Sequence, residues 1–414
     1  MKNIIHMLLL AVFASMPLHA QDASLSPYSY FGYGDIMDPQ GVDMAAMGHL
    51  TFYTDTIHYN FLMPSSTATL KYVNYAVAAS FNRYKLSDGN NSHKGSAFFT
   101  PYIALGVPFG KAGVGIGFRP YSTSGYLIRT DEEGGAAAAK TGEGGVNNFF
   151  FQAAYRPLKG LAVGVGYDYY FGNKVARFIR GRDSVMSITK QIDESVFSGG
   201  TFRFSTHYSA PLYKKYFWTA GFMYRFQGRI QSADVSTIQL VDNTYGVQRI
   251  VKEVTLHQDT VSLVMPAKLS LGWGMGERGK WFVGVEYEKS FFGAYTNTFF
   301  STPASRFQDG SAFKVGGFWN PDHRVYSKYW KRITYKMGFF TRKGILVLND
   351  HSIDQFGTTF GMSLPMGRFL SNVNVDVEYV NRGTLAAGLI KENIWKIKIG
   401  FSFNDKWFIK NKIK

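Results

Sequence analysis

The chain has 414 residues, is 17% aromatic but only 18% charged, contains 44 Gly and no Cys, and carries a formal charge of +16. So much aromatic surface argues against disorder, and the lack of cysteine excludes a disulfide framework and a thiolate metal site. A basic balance is one signature of nucleic-acid binding, but in an exported chain it is read as basic groups that meet anionic lipid or pair with carboxylates, so no nucleic-acid partner is expected.

The export reading comes from the first residues. Lys2 gives a positive start, residues 7–14 are apolar, and Leu18-His19-Ala20 sets a small residue before Gln21. Together they read as a secretory signal over residues 1–20. The apolar run falls well short of the roughly 20 residues that span a bilayer. Residues 21–65 then lack any strand rhythm, yet Tyr28, Tyr30, Phe31 and Tyr33 are costly to leave in water. This segment is expected to fill a lumen as a plug or hatch rather than hang in the periplasm. Its candidate residues are Ser26, Pro27, Tyr28, Phe31, Gly32 and Asp35.

From residue 66 to residue 403 the pattern has a period of two. Val114, Ile116 and Phe118 alternate with Gly113, Gly115 and Gly117. Val163, Val165, Tyr167 and Tyr169 alternate with Gly164, Gly166 and Asp168. Trp218, Ala220, Phe222, Tyr224 and Phe226 flank Gly221 and Arg225, and Trp281, Val283, Val285 and Tyr287 flank Gly284 and Glu286. Near the end, Val373, Val375, Val377 and Tyr379 alternate with Asn374, Asp376 and Glu378; Trp395, Ile397, Ile399, Phe401 and Phe403 alternate with Lys396, Lys398, Gly400 and Ser402. Such alternation puts greasy residues on one face and polar ones on the other. Runs of about ten residues suit tilted membrane strands, and aromatics gather near their ends, where interfacial girdles sit. No apolar run long enough for a membrane helix follows Ala20, and a closed barrel is the other structure that satisfies every backbone group in lipid. The expected fold is all-β: a transmembrane antiparallel β-barrel of about fourteen strands, with a basic periplasmic tail at 404–414.

Pro157-Leu158-Lys159-Gly160 and Gly276-Glu277-Arg278-Gly279 read as tight periplasmic turns. The longer polar stretches 131–145, 172–195, 231–259 and 297–311 read as extracellular loops, with the low-complexity residues 134–145 mobile.

Asp168, Arg225, Glu286, Asp376, Glu378, Lys396 and Lys398 are expected to face the lumen. There they either pair, to brace the wall or hold the plug, or line an ion path. Pro101 interrupts a strand, which removes a ladder hydrogen bond; it marks either a lateral opening or a plain bulge. Arg324, Lys328, Lys331, Arg332, Lys336, Arg342 and Lys343 form a basic stretch that either binds lipopolysaccharide phosphate or is a solvated rim. The glycines Gly113, Gly115 and Gly117 lie inside a strand, not in the strand-turn-helix setting of a phosphate loop. Asp322-His323 and Asp350-His351 have no serine placed beside them for nucleophilic catalysis. Neither an enzyme, a metal site nor a cofactor is expected.

Two sets of motifs carry a resemblance. The first is Ser26-Pro27-Tyr28-Ser29-Tyr30-Phe31-Gly32-Tyr33-Gly34-Asp35. The second runs through Tyr335-Lys336-Met337-Gly338, Pro365, Glu378-Tyr379, Arg382-Gly383-Thr384, Glu392 and Asn404-Asp405-Lys406-Trp407-Phe408. With these the chain resembles the FadL/TodX-like outer-membrane transport proteins, in their Bacteroidetes-type branch related to PorV. The resemblance implies an outer-membrane barrel with an N-terminal plug, passive uptake of a fatty-acid-like hydrophobic small molecule, and exit through the wall. It also implies contact with membrane lipid and lipopolysaccharide. The alternative it carries is an accessory role in protein secretion or outer-membrane assembly, binding another outer-membrane protein. Met63-Pro64-Ser65 departs from the family's Asn-Pro-Ala after the plug.

Overall fold

The computed structural model describes residues 24–406 apart from 38, 133–135, 183–186, 214, 243–248, 323, 325 and 367–370. The leader expected at 1–20 and residues 407–414 of the expected tail lie outside the described residues. Asn404 and Asp405 belong to the last strand rather than to a tail.

The period-two segments become strands because β-branched and aromatic side chains pack well on a pleated surface. Eighteen segments close into a barrel, and four pairs of them run on as single strands across a bulge or kink, leaving fourteen. These are β1 (Val73–Ser87), β2 (Ser92–Phe99 and Ile103–Phe109), β3 (Ala112–Pro120 and Tyr126–Glu132), β4 (Ala136–Leu158), β5 (Leu161–Arg182), β6 (Ser187–Tyr213) and β7 (Tyr216–Arg225 and Gly228–Asp242). The second half is β8 (Arg249–Met265 and Lys268–Glu277), β9 (Trp281–Ser290), β10 (Gly310–Trp319), β11 (Thr334–Lys343), β12 (Gln355–Met366), β13 (Ser371–Arg382) and β14 (Lys391–Asp405). Each pairs antiparallel with the next, and β14 closes on β1 from Val73↔Asp405 to Ser87↔Lys391.

The alternation maps onto this wall as expected. Phe81, Ile116, Val165, Trp273, Val283, Phe313, Phe360 and Ile397 are exposed on the outside, whereas Asp168, Glu286, Lys314, Asp376 and Glu378 are buried on the inside. An apolar exterior around a polar interior is the pattern of an outer-membrane barrel. Among the described residues no helix is long and apolar enough to cross a membrane.

The expected loops need correction. Residues 136–145, 172–182, 187–195, 231–242 and 249–259 are not loops but continuations of β4 to β8. Polar composition suggested loops, but the backbone stays paired because each strand finds a neighbour of similar length. β6 alone has 27 residues, far beyond the roughly 9–11 that cross a membrane. The result is an open sheet standing above the barrel. Residues 136–145, expected to be mobile, pair with Arg182 to Asn173 of β5.

Candidate functional site

Residues 24–70 lie inside the barrel, with a short 3-10 turn at Pro27–Tyr30, a helical turn at Val42–Ala45 and another 3-10 turn at Pro64–Thr69. The six candidate plug residues sit together under the upper mouth. Ser26 donates to Glu392 (2.5 Å), Glu392 pairs with Arg382 (2.6 Å), and Arg382 pairs with Asp35 (2.6 Å). Burial opposes ionisation of Asp35, but the Arg382 guanidinium outweighs it and holds the carboxyl below its ordinary range. Pro27 opens the 3-10 turn, Tyr28 donates to the carbonyl of Ile390 (2.6 Å), and Phe31 packs partly buried beside Leu346 and Leu348. Gly32 has φ +54° and lies against Phe307 and Tyr295.

The lower plug is fastened by wall side chains. Glu286 accepts from the backbone of Thr51 (2.5 Å) and Phe52 (3.2 Å) and from Lys314 (3.1 Å). Asp168 pairs with Arg203 (2.5 Å), which donates to the carbonyls of Phe61 and Leu62. Asp376, Glu378, Lys396 and Lys398 form one cluster. Lys398 bridges Asp376 (3.1 Å) and Glu378 (2.5 Å), Lys396 reaches Glu378 (3.0 Å), and Glu378 meets plug residue His49 (3.1 Å). Burial pushes His49 down to about 4, so at neutral pH this last contact is a hydrogen bond from a neutral imidazole, not an ion pair.

Arg225 departs from its expected pairing. It donates to the carbonyl of Pro266 (3.0 Å) and reaches Tyr170 (3.5 Å), its Nε has no partner, and no carboxylate forms an ion pair with it among the described residues. Its guanidinium stands over the Tyr121 ring, 5.7 Å from its centre. Sequence reading also missed Arg203, Lys314, Arg382 and Glu392 as members of this site. Strand parity is the signal that would have found Arg382, which shares a face with Asp376 and Glu378, and Glu392, which shares one with Lys396 and Lys398; β6 and β10 offered no such marker for Arg203 and Lys314.

Arg225 faces a cavity of about 210 Å³ above the plug. Plug residues Tyr33, Ile36 and Met37 line one side, Tyr121, Phe292, Tyr295 and Phe307 line another, and charged side chains including Arg119, Arg203, Lys268, Glu288 and Arg382 complete the lining. Beside it lies a smaller, more polar cavity of about 90 Å³ lined by Pro101, Glu378, Lys396 and Lys398. The Asp35–Met37 segment borders both.

At Pro101 the wall changes. β1 pairs Val77 with Ile103 and Ser80 with Phe99, so two residues of β1 face three of β2, a bulge. Above it, β3 bends inward over residues 121–125, and the plug pairs with that bend at Asp35↔Thr123 and Ile36↔Ser122. Among the described residues nothing pairs with Ser92–Phe99 on the side away from β1.

His58 supplies a test of plug seating. Its Nδ1 lies 2.6 Å from Asp55. Burial would lower its pKa, but the carboxylates of Asp55 and Asp43 outweigh burial and nearby Lys336, and raise it; burial of Asp55 is likewise overcome by His58, which lowers the acid. A raised folded-state histidine contributes stability fully present below about pH 6.5 and lost as pH rises through its folded value. Plug protection from protease is therefore expected to weaken from pH 6 to pH 9, and His58→Asn is expected to flatten that dependence. An unchanged profile in the variant would refute it.

A family model described as BamG matches residues 1–414. No curated protein matches the chain. Among solved structures, the Pseudomonas putida toluene transporter TodX is similar at TM-score 0.61 and 13% identity, covering 90% of this chain and 99% of its own. A Pseudomonas aeruginosa FadL homologue gives TM-score 0.61 at 10% identity, covering 90% and 100%. The Ralstonia pickettii toluene transporter TbuX gives 0.58 at 13%, covering 88% and 98%. The barrel has the FadL/TodX-type fold.

Proposed function

The chain belongs to the BamG family along its whole length, and from that premise we propose that this outer-membrane barrel binds a hydrophobic small molecule in the cavity above its plug and releases it sideways beside Pro101. The observation that carries the reading is a cavity of about 210 Å³ whose lining joins Tyr33, Tyr121, Phe292, Tyr295 and Phe307 to several basic side chains, among which buried Arg225 forms no ion pair with a described carboxylate. An apolar cavity of about 150 Å³ accepts benzene, so this one suits a single ring or a short acyl chain. Two neighbours in fold are named for toluene transport, which supports the ligand class. Arg225 adds a donor for a carboxylate or phenolate on such a ligand. The lumen ion pairs serve to hold the plug, so passage runs through the wall and follows the gradient. The outer-membrane lipid, lipopolysaccharide included, is the medium around the belt.

Calorimetric titration of the purified barrel tests this. One saturable site for benzoate and for toluene is expected. Arg225→Met should weaken benzoate by roughly 10- to 100-fold, the worth of a hydrogen bond to a charged group, and leave toluene nearly unchanged. No saturable binding of either compound would reject the reading.

A second reading, an accessory barrel that binds another outer-membrane protein, is favoured by the close seating of the plug and by the sheet that β4 to β8 raise above the membrane. A stable partner in pull-downs from native membranes, together with an empty cavity, would favour it.

A further inference from the structure

The basic stretch of the sequence does not form one patch. Lys336 points into the lumen and donates to the carbonyl of Asp43 (3.1 Å). Arg342 and Lys343 stand at the other end of β11, at the mouth cavity. Arg324, Lys328, Lys331 and Arg332 lie in the connection between β10 and β11, at the end of the barrel that carries the short turns. Short turns mark the periplasmic side, so these residues face the inner leaflet, where lipopolysaccharide is absent.

That connection, residues 320–333, is an exception among its neighbours. The other described links at this end are short: Phe109 is followed by a strand at Ala112, Leu158 by one at Leu161, and Glu277 by one at Trp281. The long link is nevertheless built. Asp322 accepts from Arg324 (2.8 Å) and Ser327 (2.5 Å), Asp322 N–H donates to Lys331 O (2.9 Å), and Asn320 donates to Arg332 O (3.1 Å). This frame holds three large aromatics in the open: Tyr326 is 101% exposed, Tyr329 52% and Trp330 55%. Tyr329 reaches the carbonyl of Pro365 on β12 (3.4 Å), and Tyr335 donates to the carbonyl of Trp330 (3.1 Å). Tyr335 packs beside outward-facing Trp319, so the loop continues the apolar belt at its periplasmic edge. Lys328 and Lys331 form no ion pair among the described residues, and Lys331 stands over the Trp330 ring, 5.4 Å from its centre.

We propose that residues 326–332 of this link form an interfacial anchor that holds an anionic phospholipid headgroup of the periplasmic leaflet. Three observations carry it together. The exposed aromatics adjoin the outward-facing Trp319 and Tyr335 at the edge of the apolar belt, and Tyr and Trp rings are stable half in and half out of lipid. Two lysines on the same turn lack a protein counter-charge. The contact with the belt is continuous, so the occupant is lipid rather than a soluble acidic protein. The proposal stands apart from what the upper cavity binds.

The test uses the full chain reconstituted in vesicles of phosphatidylcholine mixed with phosphatidylglycerol, followed by native mass spectrometry of the released barrel. The wild type is expected to retain phosphatidylglycerol. Lys328→Gln with Lys331→Gln is expected to retain roughly 10- to 30-fold less, the effect of two charges near an anionic surface. A control pair at the opposite rim, Arg83→Gln with Lys85→Gln, is expected to retain as much as the wild type. Because the chain lacks cysteine, Tyr326→Cys reports sidedness cleanly, and an impermeant maleimide on intact cells should leave it unlabelled. Equal retention in the loop variant, equal loss in the rim control, or labelling from outside would each overturn the proposal. Heat-modifiable migration in detergent verifies that every variant has folded.

Discussion

Gly338→Val is expected to unseat the plug. A Cβ at Gly338 would stand 2.1 Å from the backbone nitrogen of Gly48, and one at Gly316 would stand 2.1 Å from the carbonyl oxygen of Met47. These are wall glycines on β11 and β10 pressed against plug backbone, not against the tips of flexible side chains. Gly48 itself has φ +67°, and its N–H donates to Thr359 (2.9 Å), the residue paired with Gly338 on the neighbouring strand, so the plug backbone is held against this part of the wall. Overpacking a core commonly costs about 1–3 kcal/mol; with backbone on both sides the effect here should lie at or above the top of that range. The expected signs are a lower urea midpoint in detergent and rapid proteolysis near residue 48. Gly181→Ala, where the added carbon would meet only the Ile188 side chain at 3.0 Å, serves as a mild control. If Gly338→Val kept the wild-type midpoint and protease resistance, the plug would not be seated as described.

These glycines show what the sequence made legible and what it withheld. Alternation told which face each residue would occupy, so the wall, its apolar exterior and the inward carboxylates of β5, β9 and β13 could be read directly. It did not tell why so many inward positions were glycine. In isolation Gly113, Gly164 or Gly338 looks like weak strand material. Only with the plug in place does it become clear that each gives room to a passing backbone, because the contact joins residues far apart in the chain: Gly113 with Thr67, Gly164 with Ser65, Gly338 with Gly48. The same distance hid Arg203 and Lys174, whose partners are plug carbonyls of Phe61, Leu62, Tyr30 and Gly32. A carbonyl carries no side-chain signature, so no pattern of charges announces it. Polar composition misled in the upper sheet for a related reason. A strand outside the membrane no longer needs a greasy face, and β8 there reads like a loop although Arg249 to Val264 pair in register with β7, apart from two bulges.

Removing the Glu286 carboxylate should loosen the lower plug more than any other single side-chain deletion. Glu286 is buried on β9 and gathers two backbone N–H groups of the plug, the hydroxyls of Thr51 and Ser270 (each 2.7 Å), and Lys314. Glu286→Ala would remove one of the carboxylates that Lys314 meets, keeping Glu288 at 2.8 Å, and would leave the N–H groups of Thr51 and Phe52 without their acceptor. Breaking a buried pair at one partner typically costs about 3–5 kcal/mol, mostly because the remaining charge stays enclosed. Adding Lys314→Met should therefore restore part of the loss, about 1–2 kcal/mol of coupling in a double-mutant cycle. Glu286→Gln should fall between, since its amide oxygen still accepts from the plug while the charge is gone. Urea midpoints of the wild type, the three single variants Glu286→Ala, Glu286→Gln and Lys314→Met, and the double variant in one detergent decide the matter. A loss below about 1 kcal/mol in Glu286→Ala, the range of an ordinary surface ion pair, would mean that the plug rests on packing alone. The lumen charges would then be free to serve a moving ligand instead of a fixed segment, and the sideways route proposed for the cavity would lose its main physical reason.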